Sequence, residues 1–143
     1  MIGMVVFTHG DLAQELARVT AMILGKQEKL IAVTLGSLED LDAVKARLVA
    51  AIAEVNDGDG VVVLTDMFGG TPSNLSLALH AEGKVEVLMG ANLPMMLKLA
   101  SARAGQDGGK PPSLSELATQ VAEYGRKNIQ AATDILKKKG TPG

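Results

Sequence analysis

The 143-residue chain contains no cysteine and no tryptophan, and only one tyrosine and two phenylalanines. Without cysteine there are no disulfide staples, no thiol catalysis and no thiolate metal sites. With so few rings the core must be aliphatic, and a base-stacking platform for single-stranded nucleic acid is excluded. An excess of positive charge is also missing. Fourteen basic residues against sixteen acidic ones leave a formal net charge of −2, which argues against a nucleic-acid surface. No apolar run approaches the roughly eighteen residues that a membrane-spanning helix needs. Nor does the N-terminus show a basic region, a long apolar stretch and a small-residue cleavage site. The expectation is a cytoplasmic protein without membrane insertion. Two widely separated histidines, with no helical His-Glu pairing, make a poor case for a metal.

What is present is ordinary for a globular protein: 47% hydrophobic and 21% charged residues. The length suits one domain over residues 1–143, with a tail from 139 to 143 expected to fray. Residues 2–7 form an apolar run without alternation, as expected for a strand covered on both faces, and residues 29–35, 60–65 and 85–89 read as three further strands. Segments with helical spacing alternate with them. Residues 11–24 form one such segment, stopped by Gly25. Ser37-Leu38-Glu39-Asp40 resembles a capping box, opening a helix that runs to about Val55. Asn56-Asp57-Gly58-Asp59-Gly60 is a turn. Thr71 is placed as an N-cap with Pro72 as the first helical residue, in a helix ending near Glu82-Gly83. A further helix runs from Pro94 to about Arg103. A second capping box, Ser113-Leu114-Ser115-Glu116, opens a helix carried to about Lys138. Strand and helix in alternation predict a doubly wound, mainly parallel sheet in a three-layer α/β/α arrangement.

Two strand ends attract chemistry. Residues 2–7 lead into Thr8-His9-Gly10, and the third strand leads into Asp66-Met67-Phe68-Gly69-Gly70-Thr71. Ligands in open α/β sheets bind beyond the C-terminal ends of the strands. His9 can therefore act as a nucleophile through one ring nitrogen while the other is held; the plain alternative is that it caps the following helix. Asp66 is the candidate to hold it, accepting a hydrogen bond that fixes tautomer and direction. Gly69, Gly70 and Thr71 would offer backbone N–H groups and a hydroxyl to a phosphoryl group. Neither a Walker lysine nor dinucleotide glycine spacing accompanies them, which favours a carrier over a nucleotide-binding kinase. Met67, Phe68, Met95 and Met96 fall beside the expected crevice and are candidates for an adaptable docking rim. His80, placed near a helix C-terminus, is explained by the helix dipole, as is the run Lys137-Lys138-Lys139.

These motifs, together with Gly90-Ala91-Asn92-Leu93-Pro94-Met95, make the chain resemble the IIA domain of the mannose-type bacterial sugar phosphotransferase system, over residues 1 to about 130. The resemblance implies a phosphocarrier that takes a phosphoryl group from HPr on His9 and passes it to a IIB domain. It assigns Asp66 as the orienting group and Thr71 as a holder of the phosphoryl group. It implies no cofactor or metal, a homodimer, and an antiparallel fifth strand from the C-terminal part. The alanine-rich segment after Tyr124 reads instead as continuing helix. No IIB segment follows, so the expectation is a stand-alone member of the kind with a regulatory rather than a transporting role. Three alternatives stand beside this. One is a receiver-like domain phosphorylated on Asp66, although the acidic residues such domains place after the first strand are replaced by Thr8-His9. The second is the phosphotransfer subunit of a dihydroxyacetone kinase. The third is a regulatory protein whose binding is gated by phosphorylation without onward transfer.

Overall fold

The structure is a computed structural model that describes residues 1–105 and 108–138. Four parallel strands, β1 (Gly3–His9), β2 (Leu30–Leu35), β3 (Val61–Thr65) and β4 (Val85–Met89), form one sheet in the order β2-β1-β3-β4. Six helices accompany them among the described residues: α1 (Leu12–Leu24), α2 (Leu41–Val55), α3 (Gly70–Ala78), α4 (Leu93–Ala102), α5 (Leu114–Lys127) and α6 (Ala132–Lys138).

The two central strands are apolar on both sides because both sides are covered. Met4 and Val6 of β1 and Val62 and Leu64 of β3 pack with α1, α4 and α5. The alternate residues Val5, Phe7, Val61 and Val63 pack with α2 and, at its margin, α3. This is the doubly wound α/β/α arrangement that the alternation of elements predicts. Arg103, at the end of α4, is 1% exposed. Its guanidinium donates to the main-chain carbonyls of Ile2, Glu28 and Lys29 and to the Gln27 side chain, tying the starts of β1 and β2 together.

Several expectations are corrected. Ser37 does not open α2. The Glu39 carboxylate instead accepts from the Gly36 N–H and from Arg47, and Asp40 caps the Asp42 N–H, so the helix starts at Leu41. Thr71 lies inside α3, whose N-cap is Gly69. That helix ends at Ala78, four residues before Glu82. Leu79 and His80 donate back to Ser76 and Leu77, and Ala81 then pairs with Val85 in the tight turn into β4. His80 therefore sits in the connection between α3 and β4, 3.9 Å from the Glu86 carboxylate, and not in a helix.

The Ser113 capping box is formed in both directions, but α5 stops at Lys127. There the Asn128 side chain donates to the Tyr124 carbonyl and the Gln130 side chain to the Lys127 carbonyl. Polar side chains that take the final carbonyls compete with continued helix, and helix resumes only at Ala132. No fifth strand is present among the described residues. The tail at 139–143, expected to fray, lies outside the described residues. No helix among them is long and apolar enough to cross a membrane.

Candidate functional site

β1 is buried through Thr8 and emerges into solvent at His9. Thr8 explains how the chain then turns. Its hydroxyl accepts the Ala13 N–H at 2.7 Å, so Thr8, and not His9, caps the first turn of α1. That leaves the imidazole free for another use. In the β1–β3 register Phe7 lies beside Thr65, so the chain following β3 passes close to the end of β1. Asp66 is the first residue beyond β3. Its Oδ2 accepts from the His9 backbone N–H at 3.1 Å and lies 2.8 Å from His9 Nδ1.

An ionised carboxylate can only accept, so Nδ1 donates its proton to Asp66, and in the neutral ring Nε2 carries the lone pair. The side chains are 48% exposed for His9 and 13% for Asp66, which places a sheltered acceptor behind an accessible ring. No hydrogen bond reaches Nε2 among the described residues. Asp66 Oδ1 is buried without a partner among the described residues.

The β3–α3 loop supplies the other wall. Gly69 and Gly70 both have φ of 76°, in the left-handed region that glycine adopts without strain. A Cβ on Gly70 would lie 3.2 Å from His9 Cε1 and 3.7 Å from Nε2. The glycine thus brings backbone close to the Cε1–Nε2 edge of the ring, where α3 begins and its first N–H groups lack helical partners. Gly69 is half-buried, with nothing within 4 Å of its would-be Cβ. Thr71 occupies the first turn of α3, half-buried.

Of the rim residues, Met67 and Phe68 are exposed, Phe68 at 84%. Met95 and Met96 are not. At 4% and 0% exposure they belong to the core beneath α4, packed with Leu99 and Leu117, and cannot form a docking rim. Asn92 caps α4 by accepting the Met95 N–H, and the Met95 side chain lies against Gly125 of α5, where no larger residue would fit. A cavity of about 660 Å³ lies at the far end of the same layer, lined by Lys98, Lys110, Ser113 and Glu116; it touches none of these residues. No group of three or more His, Asp or Glu among the described residues could hold a metal.

One element was not legible beforehand. The buried Ser73, in the first turns of α3, donates to the Met67 carbonyl at 2.6 Å and lies 2.7 Å from the Thr65 hydroxyl. A serine near a helix start reads as a cap or a surface residue, and no local signal separates this one.

Residues 3–112 match the family described as PTS system fructose IIA component. The chain is 28% identical over 139 residues to the PTS system fructose-specific EIIA component of Bacillus subtilis (strain 168), covering 96% of this chain and 91% of that protein. It is 29% identical over 142 residues to the PTS system mannose-specific EIIAB component of Escherichia coli (strain K12). That match covers 99% of this chain but 42% of the relative, so the chain spans less than half of the longer protein. The crystal structure of phosphotransferase system component EIIA from Streptococcus agalactiae superposes with a TM-score of 0.81 at 25% identity, covering 94% of this chain and 99% of that one. A mannose/sorbose specific IIA subunit from Enterococcus faecalis does so with a TM-score of 0.75, again at 25% identity, covering 91% and 93%. With more than half of its length matched, the chain belongs to the phosphotransferase-system IIA component family.

Proposed function

We propose that the chain is a phosphohistidine carrier, taking a phosphoryl group from HPr on His9 and passing it to a IIB-type acceptor in the cytoplasm. The observation that supports this most directly is the 2.8 Å contact between His9 Nδ1 and Asp66, which leaves Nε2 unpartnered and accessible beside Gly70. In the step, the Nε2 lone pair attacks phosphorus and the P–N bond of the donor phosphohistidine breaks. The bonding pair returns to the donor imidazole. The Nδ1 proton stays on His9, so the phosphorylated ring is cationic, and the Asp66 carboxylate stabilises that charge. Gly69, Gly70 and Thr71 hold the phosphoryl oxygens through the unpaired N–H groups at the start of α3 and the Thr71 hydroxyl. The chemistry is positioning and electrostatics, as phosphoryl transfer generally requires. It needs no metal or nucleotide.

An accessible ring flanked by Met67 and Phe68 suits a protein partner that lays its own phosphohistidine against the surface. The carrier works as a homodimer in this reading. Aspartyl phosphorylation is less well supported, because Asp66 Oδ2 already takes two donors from His9 and Oδ1 is buried.

The test is incubation with phosphoenolpyruvate, enzyme I and HPr, followed by mass spectrometry of the intact protein and of its peptides. One acid-labile, alkali-stable phosphoryl group on the peptide containing His9 is expected, and none on His9→Ala. Undiminished labelling of His9→Ala rules the assignment out.

A further inference from the structure

We propose that Ser73 is a positioning residue for the His9–Asp66 pair, acting through a hydroxyl clamp on both chain neighbours of Asp66. The inference rests on the carrier reading of His9 for its kinetic consequence, though not for its geometry. The direction of the clamp follows from donor counting. A carbonyl oxygen only accepts, so the one Ser73 hydroxyl proton goes to Met67 O at 2.6 Å. The 2.7 Å contact with Thr65 Oγ1 must then be a bond donated by Thr65 to Ser73. A single side chain on α3 therefore holds residue 65, before Asp66, and residue 67, after it. Thr65 and Ser73 are both 0% exposed, so the bond between their hydroxyls is shielded from water.

Asp66 needs such support. Its Oδ2 takes both donors from His9, while Oδ1 is buried and accepts nothing, so no other side chain or backbone group among the described residues orients the carboxylate. A carboxylate held on one oxygen by the ring it is meant to orient takes its direction from its own backbone. That backbone is fixed on one side by β3, whose Thr65 carbonyl also accepts the Ala91 N–H, and on the other only by the loop. The Ser73–Met67 bond is what restrains the loop side. Ser73 also belongs to the helix whose first residue, Gly70, borders the Cε1–Nε2 edge of the ring. One hydroxyl thus ties the group behind the imidazole to the wall in front of it.

The test uses the full chain as wild type, Ser73→Ala, Thr65→Val and Thr65→Ser, with His9→Gln as control. Single-turnover transfer from phosphorylated HPr is followed at several donor concentrations, well below each variant's melting temperature, and the His9 Nδ1 proton is followed by NMR. Ser73→Ala is expected to lower the maximal rate by about ten- to a hundredfold, as small misplacements of reacting groups do. The half-saturating HPr concentration should stay unchanged and the Nδ1 proton signal should shift or broaden. Thr65→Val should show a smaller loss of the same kind, and Thr65→Ser should restore the rate. A folded Ser73→Ala with wild-type maximal rate and an unmoved proton signal overturns the proposal. If Ser73→Ala does not fold, Thr65→Val and Thr65→Ser decide it by the same two readouts. If His9→Gln still accepts the phosphoryl group, the carrier reading fails, and the proton signal alone then decides whether the clamp exists.

Discussion

Gly69 and Gly70 allow the proposed phosphoryl cradle to be tested with one glycine as the control for the other. Both have φ of 76°. Alanine at either position is forced to a positive φ, and at position 69 to an extended backbone with ψ of −166° that essentially only glycine adopts, at a cost of roughly 1–3 kcal/mol. With an unfolding entropy of about 2.1 cal/mol/K per residue, that amounts to a fall in Tm of about 3–10 °C. Their surroundings differ. The new methyl at position 69 meets nothing within 4 Å, whereas at position 70 it lies 3.2 Å from His9 Cε1 and 3.7 Å from Nε2. A phosphoryl group on Nε2 must occupy that space. Gly70→Ala is therefore expected to lower the rate of labelling by phosphorylated HPr by about a hundredfold or more, while Gly69→Ala stays within a few-fold of wild type. The assay pairs thermal melts with initial labelling rates at a temperature where both variants are fully folded. Equal loss of labelling in the two would show that backbone conformation matters and proximity to the ring does not. Wild-type labelling of Gly70→Ala would refute the cradle at that position.

The methionines and the exposed ring should separate stability from docking. Met96→Ala, at a fully buried site, is expected to lose about 2–5 kcal/mol in denaturant melts, whereas Phe68→Ala should stay within about 0.5 kcal/mol and instead raise the HPr concentration needed for half-maximal labelling. Glu39 gives a pH signature. The hydrogen bond from Arg47, followed by that from the Gly36 N–H, lowers its pKa in the folded protein. A carboxyl depressed on folding adds stability above its unfolded value, near 4.3, and that stability is lost as the pH falls through the folded value. The Tm gap between wild type and Glu39→Gln should accordingly be open at neutral pH and close in acid; a gap that persists unchanged in acid would contradict it.

Much of this was legible in the residues because it depends on local rules. Each strand is a mostly apolar run, and the Ser113-x-x-Glu116 box fixes the start of α5 through two reciprocal bonds. His9 and Asp66 could be singled out because each is a polar residue at the end of such a run. What could not be read depends on competition or on partners distant in sequence. Lys127 ends α5 because the Asn128 and Gln130 side chains take its last carbonyls, which outweighs the helix propensity of the alanines that follow. Met95 and Met96 flank the crevice in sequence but are rotated into the core by the register of α4. Ser73 forms its bonds across six and eight residues, which no periodicity announces.

The meeting of His9 with Asp66 depends in turn on the opposite end of the sheet. After β1 the chain passes to α1 on one face, and after β3 it passes to α3 on the other. Two adjacent parallel strands whose loops diverge leave a crevice between them, and each loop contributes one residue to it. The distance between those residues is set by the β1–β3 register. Apolar alternation cannot specify that register, since both faces of both strands are covered. Gly3 does so by shape. A Cβ there would lie 2.5 Å from the Val55 carbonyl oxygen, at the end of α2, just before the turn into β3. Only a residue without a side chain fits at that point, and its N–H bonds the Gly60 carbonyl at 2.9 Å. A slip of one residue would drive Ile2 or Met4 into the backbone at Val55. The glycine at the foot of β1 thereby fixes which residue of β1 faces Asp66 at its head.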